Sequence, residues 1–158
     1  MDSATARVLV DTNVALDLLL AREPFAADAL QLFALAEAGK VELLLSTDAI
    51  STIFYVIRKN CGSNVAREAL AKLLDYVTLA ALDERAVIRG IAMDFSDVED
   101  ALVAAVAERA GASAIITRNL SDFKASPVRA IGPREFLAAW AVRERAAARE
   151  ASEGGGES

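Results

Sequence analysis

Short apolar, β-branched runs alternate with helical patterns along almost the whole chain, and that alternation restricts the fold more than any other feature. Residues 7–10, 41–45, 76–81 and 114–117 read as strands, and 127–131 as a short fifth. Helical segments separate the strands. Antiparallel neighbours can be joined by tight turns, but parallel strands need a crossover, usually a helix. The alternation therefore predicts an α/β fold with a mainly parallel sheet of four to five strands and helices on both faces. In such sheets ligands bind outside the carboxyl ends of the strands. Residues that directly follow strands are the ones to inspect.

Local signals punctuate the elements. Pro24 suits the first turn of a helix that stops at Gly39. Ser46, Thr47 or Asp48 is the candidate cap for a helix that ends near Gly62, and Asp83 opens another. Ser96-Asp97-Val98-Glu99 matches a capping box, Ser-x-x-Glu, ahead of a helix that ends at Gly111. Pro133 starts the last helix. The chain of 158 residues is expected to form one domain over residues 1–140. Residues 141–158 are expected to extend its last helix and end in a frayed tail, because glycines and charges gather there.

Composition removes several chemistries. There is no histidine, so no Ser-His-Asp triad, Cys-His pair or His-ligated zinc can form. A single cysteine, Cys61, excludes an intrachain disulfide and a multi-cysteine metal site, and it fits a cytoplasmic protein. No apolar run approaches the roughly 18 residues of a membrane helix, so no membrane partner is expected. The net charge of −6 repels phosphate on average. A bound cation can reverse that sign locally.

Three places carry candidate chemistry. Asp11 follows the first strand and precedes Thr12 and Asn13. It reads either as a helix N-cap or as a functional carboxylate, although three cap-type residues exceed what one helix needs. Asp100 heads the apolar face of Val103, Ala104 and Ala107. A carboxylate there calls for a salt-bridge partner, a loop to cap or a metal. Thr117, Asn119 and Asp122 follow the fourth strand and offer hydroxyl, amide and carboxylate oxygens, or else form an ordinary polar loop with Asx turns. Together these positions suit a hard cation, Mg²⁺ or Mn²⁺. Such ions activate water and neutralise charge in phosphodiester hydrolysis.

These segments resemble the PIN-domain family. Val8-Leu9-Val10-Asp11-Thr12-Asn13 is similar to its opening strand and first acid. Asp100-Ala101-Leu102-Val103-Ala104-Ala105 is similar to its Asp-Ala-Leu-Ile-Ala-Ala segment. Ile115-Ile116-Thr117-Arg118-Asn119 with Asp122-Phe123 is similar to its Thr-Arg-Asn…Asp-Phe stretch. The resemblance runs over about residues 7–140. It implies a three-layer α/β/α sandwich and a Mg²⁺- or Mn²⁺-dependent ribonuclease, often the VapC-type toxin of a toxin–antitoxin pair. It also implies an RNA substrate, a cognate antitoxin and a homodimer.

Within that resemblance Asp11 and Asp100 are the metal ligands, and Asn119 and Asp122 orient water. Asn13, Asp48, Thr52 and Thr117 support the site. Arg118 and Lys124 are the expected phosphate contacts, with Arg58 and Lys59 extending the track. One departure stands out. The family usually has a Glu on the helix after the second strand, and Thr52 occupies that position, with Asp48 the nearest acid. A neutral hydroxyl supplies no charge there. The competing readings are a PIN-fold binding module with weak or no catalysis, and a receiver-like α/β domain. A receiver-like domain would need an acidic pair at the first strand end, where the sequence has only Asp11. The helices at 24–38 and 49–59 carry Phe25, Leu32, Phe33, Ile53, Phe54 and Ile57. Most of these belong to the core, and any exposed excess would mark an association surface.

Overall fold

A computed structural model describes residues 5–155. Its strands are β1 (Ala6–Val10), β2 (Val41–Ser46), β3 (Val77–Ala80), β4 (Ala114–Ile116) and β5 (Ala130–Ile131). They form one sheet in the order β3-β2-β1-β4-β5, and every pairing is parallel. Helices α1 (Thr12–Leu19) and α2 (Ala26–Glu37) connect β1 to β2. Helices α3 (Ala49–Cys61) and α4 (Ser63–Leu73) connect β2 to β3. Helices α5 (Glu84–Ile91) and α6 (Val98–Arg109) connect β3 to β4. A 3₁₀ turn (Leu120–Phe123) precedes β5, and α7 (Pro133–Gly154) closes the chain.

Side-chain alternation divides the core into two layers. Val8, Val10, Leu43, Leu45 and Ile116 face α1 to α4, with Phe136 and Trp140 of α7 packed at the margin. Leu9, Leu44 and Ile115 point the other way, to Ala86 of α5 and the apolar body of α6. The central strands are covered on both faces, which is why Leu43-Leu44-Leu45 is an unbroken apolar run. Each fully buried Leu contributes roughly 1.5–3 kcal/mol of transfer free energy. Helix α6 buries Ala101 and Val103 through Ala107, so it is apolar on nearly every side.

The expected three-layer sandwich is therefore the observed one, with five strands. Leu32, Phe33, Ile53 and Ile57 lie in the core rather than on an association surface. On α2 and α3 the exposed apolar side chains are Leu30 and Tyr55. Helix α7 runs through residue 140 without a break and stays helical to Gly154, beyond the start of the expected frayed tail at Ser152. The remainder of that tail, residues 156–158, lies outside the described residues. Among the described residues, no helix is long and apolar enough to cross a membrane.

The order of the strands positions the site. The chain winds from β1 through β2 to β3 on one side, then returns to place β4 and β5 on the other. The switch in direction falls between β1 and β4, so their carboxyl ends flank a crevice.

Candidate functional site

Asp11 sits at that switch. Its backbone N–H donates to the carbonyl of Ile116 at 2.9 Å, extending the β1–β4 pairing by one bond. It occupies the N-cap position of α1, yet its side chain makes no cap hydrogen bond. The carboxylate instead accepts the Thr117 hydroxyl at 2.9 Å. Asp11 is 7% exposed and Thr117 is fully buried. Burial pushes the Asp11 carboxyl above the ordinary aspartate range. The Thr117 and Thr12 hydrogen bonds and the Arg118 charge oppose that shift, and Asp122 adds to it.

Asp100 approaches from the start of α6. The N-cap there is Asp97, whose carboxylate accepts the Asp100 N–H at 3.2 Å. The expected Ser96–Glu99 capping box is thus displaced by one residue. Ser and Asp are comparable caps, and the chain uses the second. Glu99, freed from capping, lies in the first turn beside Asp100, where the helix dipole favours negative charge. The Asp100 carboxyl is pushed up to about 6, first by burial and then by the carboxylates of Asp97, Asp11, Asp122 and Glu99.

Asp11 and Asp100 line one cleft of about 250 Å³, with Thr12, Asn13, Asp48, Thr52 and Glu99 in its wall. Asp48 heads α3 without capping it and accepts the Ser46 hydroxyl, and Thr52 follows one turn later. The Thr47 hydroxyl accepts the Leu82 N–H at 3.1 Å and ties this corner to the end of β3. Asn119 and Asp122 belong to the turn after β4. The Asn119 N–H donates to the Thr117 hydroxyl at 3.1 Å. Neither residue is in the cleft wall, although Asp122 is close enough to raise both Asp11 and Asp100.

The expected phosphate contacts are placed differently. Arg118 donates to both oxygens of Asp17, at 2.7 and 3.1 Å, and its guanidinium lies 3.9 Å from the centre of the Phe25 ring. Asp17 is 1% exposed. Arg118 is therefore a buried-pair partner rather than a free phosphate contact. Lys124 is exposed at the end of the 3₁₀ turn and outside the cleft wall. Arg58 and Lys59 sit in the last turn of α3, at the opposite end from Asp48 and Thr52.

The sequence reading missed Asp17, Glu99 and Arg22. Asp17 was signalled by its place inside Leu16-Asp17-Leu18, since an acid amid leucines requires a partner. Arg22 lines the same cleft as Asp11 and Asp100. A larger cleft of about 350 Å³ opens beyond Thr117, beside Phe25 and Arg118. One of its acids, Asp28, is paired with Arg134 at 3.4 Å, so it gathers less unpaired negative charge.

The donors of the smaller cleft fit a hard divalent cation. They are carboxylate, amide and hydroxyl oxygens, and the carboxylates raise one another's affinity for positive charge. Among the described residues, no three acids close to chelating distance. An ion held there would take one or two carboxylates and keep several waters.

The PIN domain family model matches residues 7–121. Ribonuclease VapC1 of Aquifex aeolicus (strain VF5) is 25% identical over 139 residues, covering 85% of this chain and 95% of that protein. The structure of DNA-bound VapBC from Salmonella typhimurium aligns with a TM-score of 0.65 and 16% identity, covering 81% of this chain and 98% of the other. A toxin–antitoxin complex from Klebsiella pneumoniae aligns with a TM-score of 0.60 and 25% identity, covering 80% and 97%.

Proposed function

The chain belongs to the PIN-domain family, and from that membership we propose that it is a Mg²⁺- or Mn²⁺-dependent endoribonuclease and the toxin of a toxin–antitoxin pair. The observation that carries this reading is the convergence of Asp11 and Asp100 on one cleft at the sheet's switch point. The ribonuclease name of the Aquifex relative supports it.

Asp11 and Asp100 would hold the ion, with Asp48 and Glu99 adding negative charge to the wall. A divalent ion in this place would supply an activated water and offset the charge of the phosphate. Thr117 fixes the Asp11 carboxylate so that one oxygen is committed inward. Asp97 caps α6 and so presents Asp100 from a rigid first turn. Asn119 and Asp122 orient water from the turn behind Asp11. Thr52 contributes a hydroxyl and cannot act as a strong base.

The partners follow from the same reading. Single-stranded RNA is the substrate, and a cognate antitoxin protein binds the toxin; the Klebsiella relative, a toxin–antitoxin complex, supports that partner. A second copy of the chain completes a homodimer. Ile88 and Ile91 of α5, each 63% exposed, offer apolar surface for such contacts. The place of action is the cytoplasm.

The experiment is cleavage of single-stranded RNA with Mn²⁺. The wild type is expected to cleave, chelation to stop it and Asp11→Asn to abolish it. Equal cleavage by Asp11→Asn would remove the activity from this cleft.

A further inference from the structure

The acidic cleft has a cationic side chain in its wall. Among the described residues that line it, Arg22 is the sole Lys or Arg, in the company of Asp11, Asp48, Glu99 and Asp100. The backbone fixes its place in the turn between α1 and α2. The Arg22 N–H donates to the Asp17 carbonyl at 3.0 Å, and the Arg22 carbonyl accepts from Phe25 and Ala26 at 2.9 and 2.7 Å. Ala21 just before it has φ 48°, a left-handed conformation that residues with a Cβ rarely take. Such positions persist where the surroundings hold them, and they gather at functional sites.

The guanidinium itself is not used up inside the fold. Its approach to Asp17 is 3.9 Å, beyond hydrogen-bond range, and Arg118 already occupies both Asp17 oxygens. The Arg22 side chain is 36% exposed. Arg118 thus holds the hydrogen bonds to Asp17, while Arg22 keeps its donors apart from a long ion pair to the same carboxylate.

A phosphodiester that enters this cleft meets several carboxylates. Positive charge in the wall would add to that of a bound ion in offsetting their repulsion. A guanidinium is planar and permanently charged, and its donors match two non-bridging phosphate oxygens at once. We propose that Arg22 binds the substrate phosphodiester of single-stranded RNA at this cleft, donating to its non-bridging oxygens. This assignment rests on the ribonuclease reading above and takes over the role expected of Arg118.

The test is equilibrium binding, read by fluorescence anisotropy of a labelled single-stranded oligoribonucleotide. Ca²⁺ replaces the catalytic ion so that binding is read without turnover. The salt dependence is measured for the wild type, Arg22→Gln, Arg22→Lys and Lys72→Gln. Lys72 lies on the exposed surface of α4 and controls for the change in net charge. Arg22→Gln is expected to bind on the order of 10-fold more weakly, as for a lost charged hydrogen bond. Its plot of log affinity against log salt should flatten by about 0.7, the value for one phosphate contact on a single strand. Arg22→Lys, which keeps the charge, should keep the slope but bind several-fold more weakly, because the two-pronged geometry is lost. Arg22→Gln behaving like Lys72→Gln, or Arg22→Lys binding as tightly as the wild type, would overturn the assignment and leave the ribonuclease reading intact. A wild type that neither binds nor cleaves RNA would overturn both.

Discussion

The Thr117 hydroxyl donates to the Asp11 carboxylate at 2.9 Å, joining residues 106 positions apart across the switch between β1 and β4. Both groups are buried, so water does not replace this bond when it is lost. Thr117→Val keeps the shape and removes the donor. It is expected to cost roughly 1–2 kcal/mol of stability. It should also raise the Asp11 carboxyl further, since the hydrogen bond holds it down, and so weaken Mn²⁺ binding several-fold. Urea unfolding and a calorimetric Mn²⁺ titration read the two effects. Unchanged values for both would show that Asp11 is positioned by other means.

Asp100 gives the cleft a pH dependence. Its carboxyl stands at about 6 when folded, against 3.8 for an ordinary aspartate, with burial as the main cause. The folded protein therefore holds this proton more tightly than the unfolded chain does. Stability of the metal-free protein should fall as pH rises from 3.8 to about 6 and then level off. Asp100→Asn should flatten that fall and leave the metal-free protein as stable or more so at neutral pH. The gain should be at most about 1 kcal/mol, because the half-buried group is screened by water. Mn²⁺ affinity should drop as the pH is lowered through about 6, since the protonated acid is a poor ligand. A pH series of melting curves for both proteins checks the sign.

Arg118 is expected to act on stability. It is the charged partner of buried Asp17 and stacks on Phe25. Arg118→Ala removes both hydrogen bonds to the buried Asp17 carboxylate and leaves it only the long ion pair to Arg22, and it should cost roughly 2–3 kcal/mol. Urea unfolding measures it. A loss of RNA affinity with no loss of stability would return Arg118 to the phosphate-contact role.

How far the sequence carried the reading depended on the range of the signal. The alternation of strands and helices is local and periodic, so it gave the sheet, its parallel sense and the strand ends. Asp11 and Asp100 were legible because one follows a strand and the other heads an apolar helix face. Glu99 was misread as a cap because Ser96 and Asp97 are adjacent and nearly equivalent as caps; with Asp97 in that role, Glu99 is left to line the cleft beside Asp100. The Asp17–Arg118 pair joins residues 101 positions apart, and no local pattern marks which arginine Asp17 takes. The same ambiguity hid Arg22, which is in the cleft wall while Arg118 is spent inside.

Thr52 stands where the family resemblance implies a Glu. It lies in the cleft wall with Glu99. Thr52→Glu should tighten Mn²⁺ binding and raise Mn²⁺-dependent cleavage of single-stranded RNA, because charge count in the site tunes affinity. Glu99→Gln should do the reverse on binding. Calorimetry and a cleavage time course compare them with the wild type. A Thr52→Glu protein that folds but binds Mn²⁺ no better would place Thr52 too far from the ion to matter.

The central claim is that Asp11 and Asp100 share one divalent ion. Calorimetric titration of Mn²⁺ into the wild type and into the Asp11→Asn/Asp100→Asn double variant tests it most directly. The account predicts one ion per chain in the wild type and no measurable binding in the double variant. A double variant that binds the ion with the wild-type stoichiometry and affinity would contradict it.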